Sequence, residues 1–384
     1  MDDELLDRDA LEFLPLGERK NKVSVSRDLI RPDAAPRPLG PDARSVLEEA
    51  AARIRGARRA GKPVVCAFGA HAIKNGLGPV LSTLVEDGWI THLATNGAGI
   101  IHDWELSFLG ATSEDVRANV GEGRFGTWEE TGLYINLALR VGAYRGLGYG
   151  ESVGALIGDQ GLVVPEAAEL RESARAGASE GADRETMERG AAALDLLEAC
   201  RRFRLPAGRM EVAHPFRAFS LQARARAAGV PFTGHPMIGH DIIYVHPMNQ
   251  GAAVGRTAER DFLRFASAIA RLDGGVYLSV GSAVMSPMIF EKSLSMAQNL
   301  AVRDGRRIRD HYILVVDLAR SLWDWSRDGE PPVDDPAYYL RYCKTFARMG
   351  GTMRYLSADN RDFFLSLLSA LRAPIDSGGP TGRH

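Results

Sequence analysis

The sequence predicts an α/β protein whose core is a doubly wound, mostly parallel Rossmann-like sheet of six or more strands. Three observations predict it: six short apolar segments have the length of buried strands, amphipathic segments with helical spacing separate them, and small or polar residues follow each strand. Crossover connections of this length join parallel strands and cover both faces of a sheet with helices.

The predicted elements alternate from Pro41 onward. A first helix (DARSVLEEAAARIRGARRAG) precedes the strand PVVCAFGA, and the helix LGPVLSTLVEDG precedes the strand ITHLATNGAG. Further along, helical segments precede the strands VPFTGHPMIG, GVYLSVGSA, HYILVVDL and TMRYLSA, and the helix RDFFLSLLSALRA follows the last strand. Residues 41–375 are therefore predicted to form one α/β domain, residues 1–40 an extended or partly disordered N-terminal arm, and residues 376–384 a flexible tail.

Composition narrows the classes of protein. The 384 residues are 45% hydrophobic and 25% charged, which excludes disorder of the whole chain. The net charge of −2 provides no excess of positive charge for binding nucleic acid or an anionic membrane. Three widely separated cysteines predict free thiols, and we find neither a secretory leader nor a membrane-spanning run. The expected location is the cytoplasm, and the expected partner is a small molecule.

The turns after the strands are where a ligand site is expected, because open parallel sheets bind ligands beyond the carboxyl ends of their strands. The turn Asn96, Gly97, Ala98, Gly99 could approach a phosphate, although a tight strand-to-helix turn explains the same residues. His102 and Asp103 follow it as two extra titratable side chains.

A second turn carries His240 and Asp241, which we take as candidates for proton transfer. His235 and His246 lie nearby in the sequence, so a metal site is an alternative, with a hydrogen-bonded turn as the simplest explanation. No metal ligand is assigned.

Small residues after three other strands could leave room for a nucleotide. They include Gly69, Ser282 and Ala358, and Asp359 after the last strand is an acid that could hydrogen-bond ribose hydroxyls. Ser286 and Pro287 also suit the start of a helix, and Asp359 suits a helix cap.

Taken in order, these turns resemble those of the deoxyhypusine synthase family from about Pro63 to Leu371. The resemblance rests on four segments: FGAHAIKNGLGPVLSTLVEDGWITHLATNGAGIIHDWELSFLG, VPFTGHPMIGHDIIYVH, VYLSVGSAV and MRYLSADNRDFFLSLLSAL. It implies an NAD-binding fold, a homotetramer and NAD-dependent transfer of an aminobutyl group from spermidine. It also implies that the Asn96–Gly99 turn, Ser282, Ala358 and Asp359 face NAD, that Asp241 faces the substrate, and that an Ile/Phe-rich strand follows it.

Two departures argue against hypusine formation itself. Ser286 stands where the family has its imine-forming lysine, and serine cannot form a Schiff base, so Lys292 or Lys74 would have to replace it. His102 stands where the family has a carboxylate that holds the polyamine.

The hypothesis from sequence is therefore a deoxyhypusine synthase-like, NAD-dependent transferase or related enzyme acting on another small substrate. His102, Asp103, His240 and Asp241 would supply the acid/base and polar contacts. Two alternatives remain: a lapsed enzyme that only binds a nucleotide, and a metal-dependent hydrolase using His235, His240, Asp241 and His246.

Overall fold

The computed structural model describes residues 5–325 and 329–374. The predicted tail, residues 376–384, lies outside them. The strands are β1 Asn21–Ser24, β2 Val64–Phe68, β3 His92–Asn96, β4 Ala111–Glu114, β5 Gly161–Val164, β6 Gly208–Glu211, β7 Phe232–His235, β8 Val276–Val280, β9 Tyr312–Asp317 and β10 Thr352–Ser357.

Helices fill most of the remaining chain. They are α1 Val25–Asp28, α2 Pro41–Arg59, α3 His71–Lys74, α4 Gly78–Glu86, α5 Gly97–Leu109, α6 Val116–Gly121, α7 Glu129–Arg145, α8 Tyr149–Gly158, α9 Ala167–Gly177, α10 Arg184–Arg202, α11 Leu221–Ala227, α12 Gly251–Ile269, α13 Met285–Arg303, α14 Arg341–Ala347 and α15 Asn360–Arg372.

The main sheet has six strands in the order β10-β9-β8-β2-β3-β7, and every neighbouring pair is parallel. These are the six strands that the apolar segments predict, so the α/β Rossmann-like fold class is confirmed. The central strands of the sheet are buried on both faces because they are apolar at successive positions. All five residues of β2 are buried, with Val64, Cys66 and Phe68 on one face and Val65 and Ala67 on the other.

The two faces are covered by different helices. The connection from β2 to β3 runs through α4, whose Leu81 and Leu84 pack in the core on one face. The connection from β8 to β9 runs through α13, whose Phe290 and Leu294 pack in the core on the other face. Since β2 and β8 are neighbours and their onward connections leave to opposite faces, a topological switch point lies between their carboxyl ends.

The first forty residues also contain ordered contacts. Leu16 is fully buried in the core, and β1 pairs with β4 in a small antiparallel sheet. A second small antiparallel sheet joins β5 and β6. The apolar pattern of the sequence did not predict either pair, because β1, β4 and β6 are short and mostly polar and each pair joins segments that are distant in the sequence.

One predicted element differs. The segment after Asp241, expected as an Ile/Phe-rich strand, is a 3₁₀ helix over Ile242–Val245. It lies beyond β7 and packs on the first turns of α7, where the Asn136 amide donates to the Ile243 carbonyl oxygen at 2.9 Å. Among the described helices, none has the length and apolar character to cross a membrane.

Candidate functional site

The turns after β2 and β8 touch at the switch point. The Gly69 amide donates to the Val280 carbonyl oxygen at 3.1 Å, and a β-carbon at Gly69 would lie 2.1 Å from the Gly281 carbonyl oxygen. Gly281 itself has φ +57°, a left-handed conformation that favours glycine. Both glycines are therefore required for the two backbones to approach each other.

These two turns leave amides without acceptors. Within the described residues, no hydrogen bond uses the backbone N–H of Ala70 and His71 after β2, or of residues 282–285 after β8. The next amide, that of Ser286, donates to the Ser282 hydroxyl at 3.2 Å. The carboxyl edge of the sheet thus presents unpaired donors from two adjoining turns, and donors of this kind bind anionic oxygens.

The turn after β2 leads into α3, which runs from His71 to Lys74. Lys74 lines a pocket of about 200 Å³. Four of the predicted catalytic and cofactor-binding residues line it: Ala98, His102, His240 and Asp241. Its other lining residues are Arg19, Lys74, Ile101, Glu105, Ser113, Glu114, Val116, Phe125 and Ile242.

Asp241 lies against the first turn of α5. Its carboxyl group occupies the space that a side chain at Gly97 would need, since a β-carbon there would lie 2.1 Å from Oδ2. Oδ2 is buried without a hydrogen-bond partner. Burial raises the pKa of this carboxyl to about 7, and the Ala98 amide opposes the rise. Because Oδ2 is enclosed and the residue lines the pocket, Oδ1 is the oxygen that can meet a ligand. A carboxyl with this pKa can both accept and donate a proton at neutral pH.

His102, one helical turn after Ala98 on α5, is held by a chain of hydrogen bonds. Its Nδ1 lies 2.8 Å from the Thr112 hydroxyl, and this hydroxyl donates to Glu105 Oε2. Glu105 forms a buried two-point ion pair with Arg19, at 2.8 and 2.6 Å. Burial lowers the pKa of His102 to about 4, with Glu105 opposing the shift, so the ring is neutral at pH 7.

Asp103, predicted as a catalytic residue, points away from this pocket. Its carboxylate accepts hydrogen bonds from the Ser220 hydroxyl at 2.7 Å, from the Leu221 amide at 2.8 Å, and from both the backbone and side-chain nitrogens of Gln222 at 3.1 and 3.0 Å. These donors belong to the start of α11. We therefore assign Asp103 a structural role as the buried acceptor that fixes that helix.

The turn predicted to face the NAD phosphates is already filled. The Asn96 side chain accepts the Gly99 amide at 3.0 Å, and Asp241 covers Gly97. A β-carbon at Gly99 would lie 2.2 Å from the Thr95 hydroxyl, so this glycine serves packing within the turn. The first turn of α5 therefore does not offer the space for a phosphate that the glycines predicted.

The other predicted cofactor residues lie nearer the switch point. Gly69 and Ser282 belong to the two touching turns. Ala358 and Asp359 follow β10, and the next residue, Asn360, brings its side-chain amide to within 2.6 Å of where a β-carbon at Gly281 would stand. Asp359 accepts a hydrogen bond from the Arg361 amide at 2.8 Å. It therefore caps α15, which was the alternative to contact with a nucleotide.

The four residues of the proposed metal cluster do not converge. His235 Nε2 lies 2.9 Å from the Thr233 hydroxyl inside the sheet, and His246 Nε2 lies 3.4 Å from Glu129. In the described part of the chain, no group of three or more His, Cys, Asp or Glu side chains could hold a metal ion. The metal-hydrolase alternative therefore has no site here.

The position of the missing lysine is part of the core. Ser286 is fully buried, and its hydroxyl bonds to those of Tyr277 and Ser279, each at 2.8 Å. Lys292 is exposed and paired with Glu291, whereas Lys74 lines the pocket and has no carboxylate within 4 Å among the described residues. Of the two lysines considered as replacements, only Lys74 is placed to meet a ligand.

Among the residues that sequence reasoning missed, Arg19 and Glu105 line the pocket and Thr112 holds His102. Arg19 comes from the predicted arm, and nothing in its sequence indicates that it enters the domain. Glu105 lies on α5, in the segment that follows the Asn96 turn. Its contact with Thr112 depends on the position of β4, which was not predicted.

Comparisons with known proteins complete the description. Neither the scan of protein-family models nor the search of curated proteins finds a match. Among solved structures, AgrE in a ternary complex with ornithine and NAD⁺ is 15% identical with a TM-score of 0.41, and the match covers 87% of this chain and 34% of AgrE. ArgZ, an arginine dihydrolase from the ornithine-ammonia cycle in cyanobacteria, is 13% identical with a TM-score of 0.38, covering 85% of this chain and 32% of ArgZ. A conserved putative LOR/SDH protein from Methanococcus maripaludis S2 is 10% identical with a TM-score of 0.41, covering 89% of this chain and 73% of that protein.

These comparisons correct the family prediction. This chain spans about a third of the length of AgrE and ArgZ, and at such identities and TM-scores none of the three identifies its activity. The matching proteins are not deoxyhypusine synthases, and no family model matches, so the assignment to that family and to its transferase reaction is wrong. The homotetramer came from the same resemblance and stays a prediction.

Proposed function

We propose that this chain is an NAD-binding enzyme that carries out proton-coupled chemistry on a small molecule held in the Asp241 pocket. The observation that carries the proposal is the set of unpaired amides in the two touching turns at the switch point, one of which leads through α3 to Lys74 in the pocket wall. In doubly wound sheets such a place suits the pyrophosphate of a dinucleotide, because backbone N–H groups neutralise its oxygens.

The donors fit the cofactor at this place and not at the first turn of α5. A pyrophosphate beside Gly97 would meet the Asp241 carboxyl group, which fills the space there. Beside Ser282 it would meet the unpaired amides of residues 282–285 and the first amides of the turn after β2. Ala283 and Val284 are exposed, so a ligand can approach this turn from solvent.

The pocket supplies the groups for chemistry on a substrate. NAD, when bound, accepts or returns a hydride, and oxidation of an alcohol or amine also releases a proton. Asp241, with a pKa of about 7, can take up or return that proton. Lys74 adds an unpaired positive charge at the wall where α3 leaves the switch point. About 200 Å³ limits the substrate portion to a small molecule.

The test is NAD binding by isothermal titration calorimetry to the intact chain and to Ala283→Asp. A carboxylate among the unpaired amides would compete for them and repel the pyrophosphate. Because hydrogen bonds to charged groups contribute about 1.5–3 kcal/mol each, we expect the affinity to fall by at least about tenfold. Bound NAD should also raise the melting temperature of the wild-type protein.

Ala178→Asp is the matched control, since Ala178 is exposed at the end of α9 and the change adds the same charge. It should bind NAD like the wild type. Equal NAD affinity in Ala283→Asp and Ala178→Asp, or no NAD binding by the wild type, would refute the proposal.

A further inference from the structure

The hydrogen bonds behind His102 form a directed chain. The Arg19 guanidinium donates twice to Glu105, and burial, which opposes ionisation, is outweighed by Arg19, so the pKa of Glu105 is lowered. Glu105 is therefore an ionised carboxylate, which can only accept hydrogen bonds.

An ionised Glu105 fixes the direction of every bond that follows. The Thr112 hydroxyl has one proton, and it lies between Glu105 Oε2 and His102 Nδ1. Because Glu105 can only accept, the hydroxyl gives its proton to Glu105 and accepts from Nδ1. Nδ1 must then carry the proton of the neutral imidazole, which leaves Nε2 with a lone pair.

Nε2 is the nitrogen available to a ligand. His102 lines the pocket, and Nε2 has no hydrogen-bond partner among the described residues and is not enclosed by protein atoms. A neutral ring with this tautomer offers an acceptor and no donor on the pocket side.

We propose that Thr112 fixes His102 as a hydrogen-bond acceptor and that the part of the pocket facing Nε2 consequently selects small molecules presenting a donor there, namely alcohols or amines, over the corresponding carbonyl compounds. A carbonyl oxygen facing Nε2 would bring two lone pairs together and leave Nε2 without a partner on desolvation. An alcohol or amine donates to Nε2 instead. Thr112 is a positioning residue in this scheme, because it acts through His102.

The proposed substrate class rests on the proposed function and deepens it. The tautomer of His102 is independent of that function. The tautomer can be read directly from the ¹⁵N chemical shifts of the imidazole nitrogens at pH 7, with the His102 resonances assigned by their loss in His102→Gln. We expect a protonated Nδ1 and an unprotonated Nε2. A protonated Nε2 in the wild type overturns the inference whatever the protein binds.

Three variants separate the positioning role from a merely structural one. Thr112→Val removes the hydroxyl at nearly constant shape and should release His102 to place its proton on Nε2. Thr112→Ser keeps the hydroxyl and should restore the wild-type spectrum. Thr131→Val is the matched control, since Thr131 also donates to Glu105, at 3.0 Å, and among the described residues the hydrogen bond of the His102 ring is with Thr112. An unchanged tautomer in Thr112→Val would overturn the role of Thr112.

Ligand selection is tested with matched pairs of small alcohols and ketones, including 2-hydroxypentanoate and 2-oxopentanoate, titrated while the His102 resonances are observed. We expect the alcohols to bind about tenfold more tightly, because the ketone leaves one polar group without a hydrogen-bond partner. In Thr112→Val we expect the preference to reverse. Equal or opposite preference in the wild type, or no pair that moves the His102 resonances, overturns the substrate class. NAD binding, measured separately as above, shows whether the proposed function fails with it.

Discussion

The surroundings of Asp103 and of Asp241 form two contrasting regions on either side of α5. Asp103 is buried, and its carboxylate receives four hydrogen bonds from the first residues of α11 and the residue before them. Asp241 has a buried oxygen that receives none, and its other oxygen borders a pocket. Both were candidates from sequence for the same kind of chemistry.

The difference lies in what each carboxyl group can still do. A carboxylate whose lone pairs are already used by fixed donors stabilises the fold and has no capacity left for a ligand. Burial raises the pKa of both carboxyl groups, but only Asp241 also borders a pocket with an oxygen that no fixed donor occupies, which is what proton transfer with a ligand requires. Hydrogen-bond partners, more than burial alone, separate a structural acid from a reactive one.

The largest effect expected from this contrast is the loss of stability in Asp103→Ala. The substitution leaves four buried donors without an acceptor, and each unsatisfied group costs about 1–3 kcal/mol. We expect the free energy of unfolding to fall by about 3 kcal/mol or more, measured by urea denaturation. Asp87→Ala, which removes a partly exposed ion pair with Arg372, should cost less than about 1 kcal/mol. Similar losses in the two variants would contradict the structural role of Asp103.

The sequence was sufficient for the sheet because its central strands are mainly apolar and its crossover helices are amphipathic. Val64–Phe68 and Tyr312–Asp317 are recognisable without any tertiary information. The two small antiparallel pairs and the docking of Leu16 were not, since they depend on contacts between distant segments that leave no periodic pattern.

The site was predictable only in part, for a related reason. The position of His102 and Asp241 near the carboxyl ends of strands follows from the order of elements. The direction in which each side chain points does not follow from that order. Asp103 and Asp241 have the same side chain, and it is their surroundings that distinguish them. The glycines after β3 predicted room for a phosphate, but the sequence could not show that a carboxyl group from the loop after β7 fills that room.

A smaller effect is expected in the pH dependence of stability. Burial raises the pKa of folded Asp241 to about 7 from an ordinary 3.8, so folding favours its protonated form. The stabilisation from protonation is complete below about pH 4 and is lost as the pH rises through 7. Asp241→Asn removes this loss. Relative to the wild type, the variant should gain up to about 2 kcal/mol between pH 5 and pH 7, since one pKa unit corresponds to about 1.4 kcal/mol.

The measurement is urea denaturation of both proteins at pH 5, 6, 7 and 8. Asp261 is fully buried, and burial raises its pKa to about 7 as well, although it accepts the Gly150 and Gly234 amides. Its contribution is common to the wild type and the variant, so the difference between the two curves isolates Asp241. Parallel curves would mean that Asp241 titrates in its ordinary range and would remove the argument for proton transfer at neutral pH.

The smallest effect concerns the contact between Asp241 and Gly97. A β-carbon at Gly97 would lie 2.1 Å from Oδ2, so Gly97→Ala must displace the carboxyl group, at a cost of about 1 kcal/mol or more. In the Asp241→Ala background the space is free, and alanine should instead stabilise the first turn of α5 by a fraction of a kcal/mol. Gly56→Ala, where nothing lies within 4 Å of the added carbon in α2, is the control for helix propensity and should stabilise in both backgrounds. If the effect of Gly97→Ala is the same with and without Asp241, the carboxyl group does not occupy the first turn of α5, and that turn becomes available for the phosphate that the sequence predicted there.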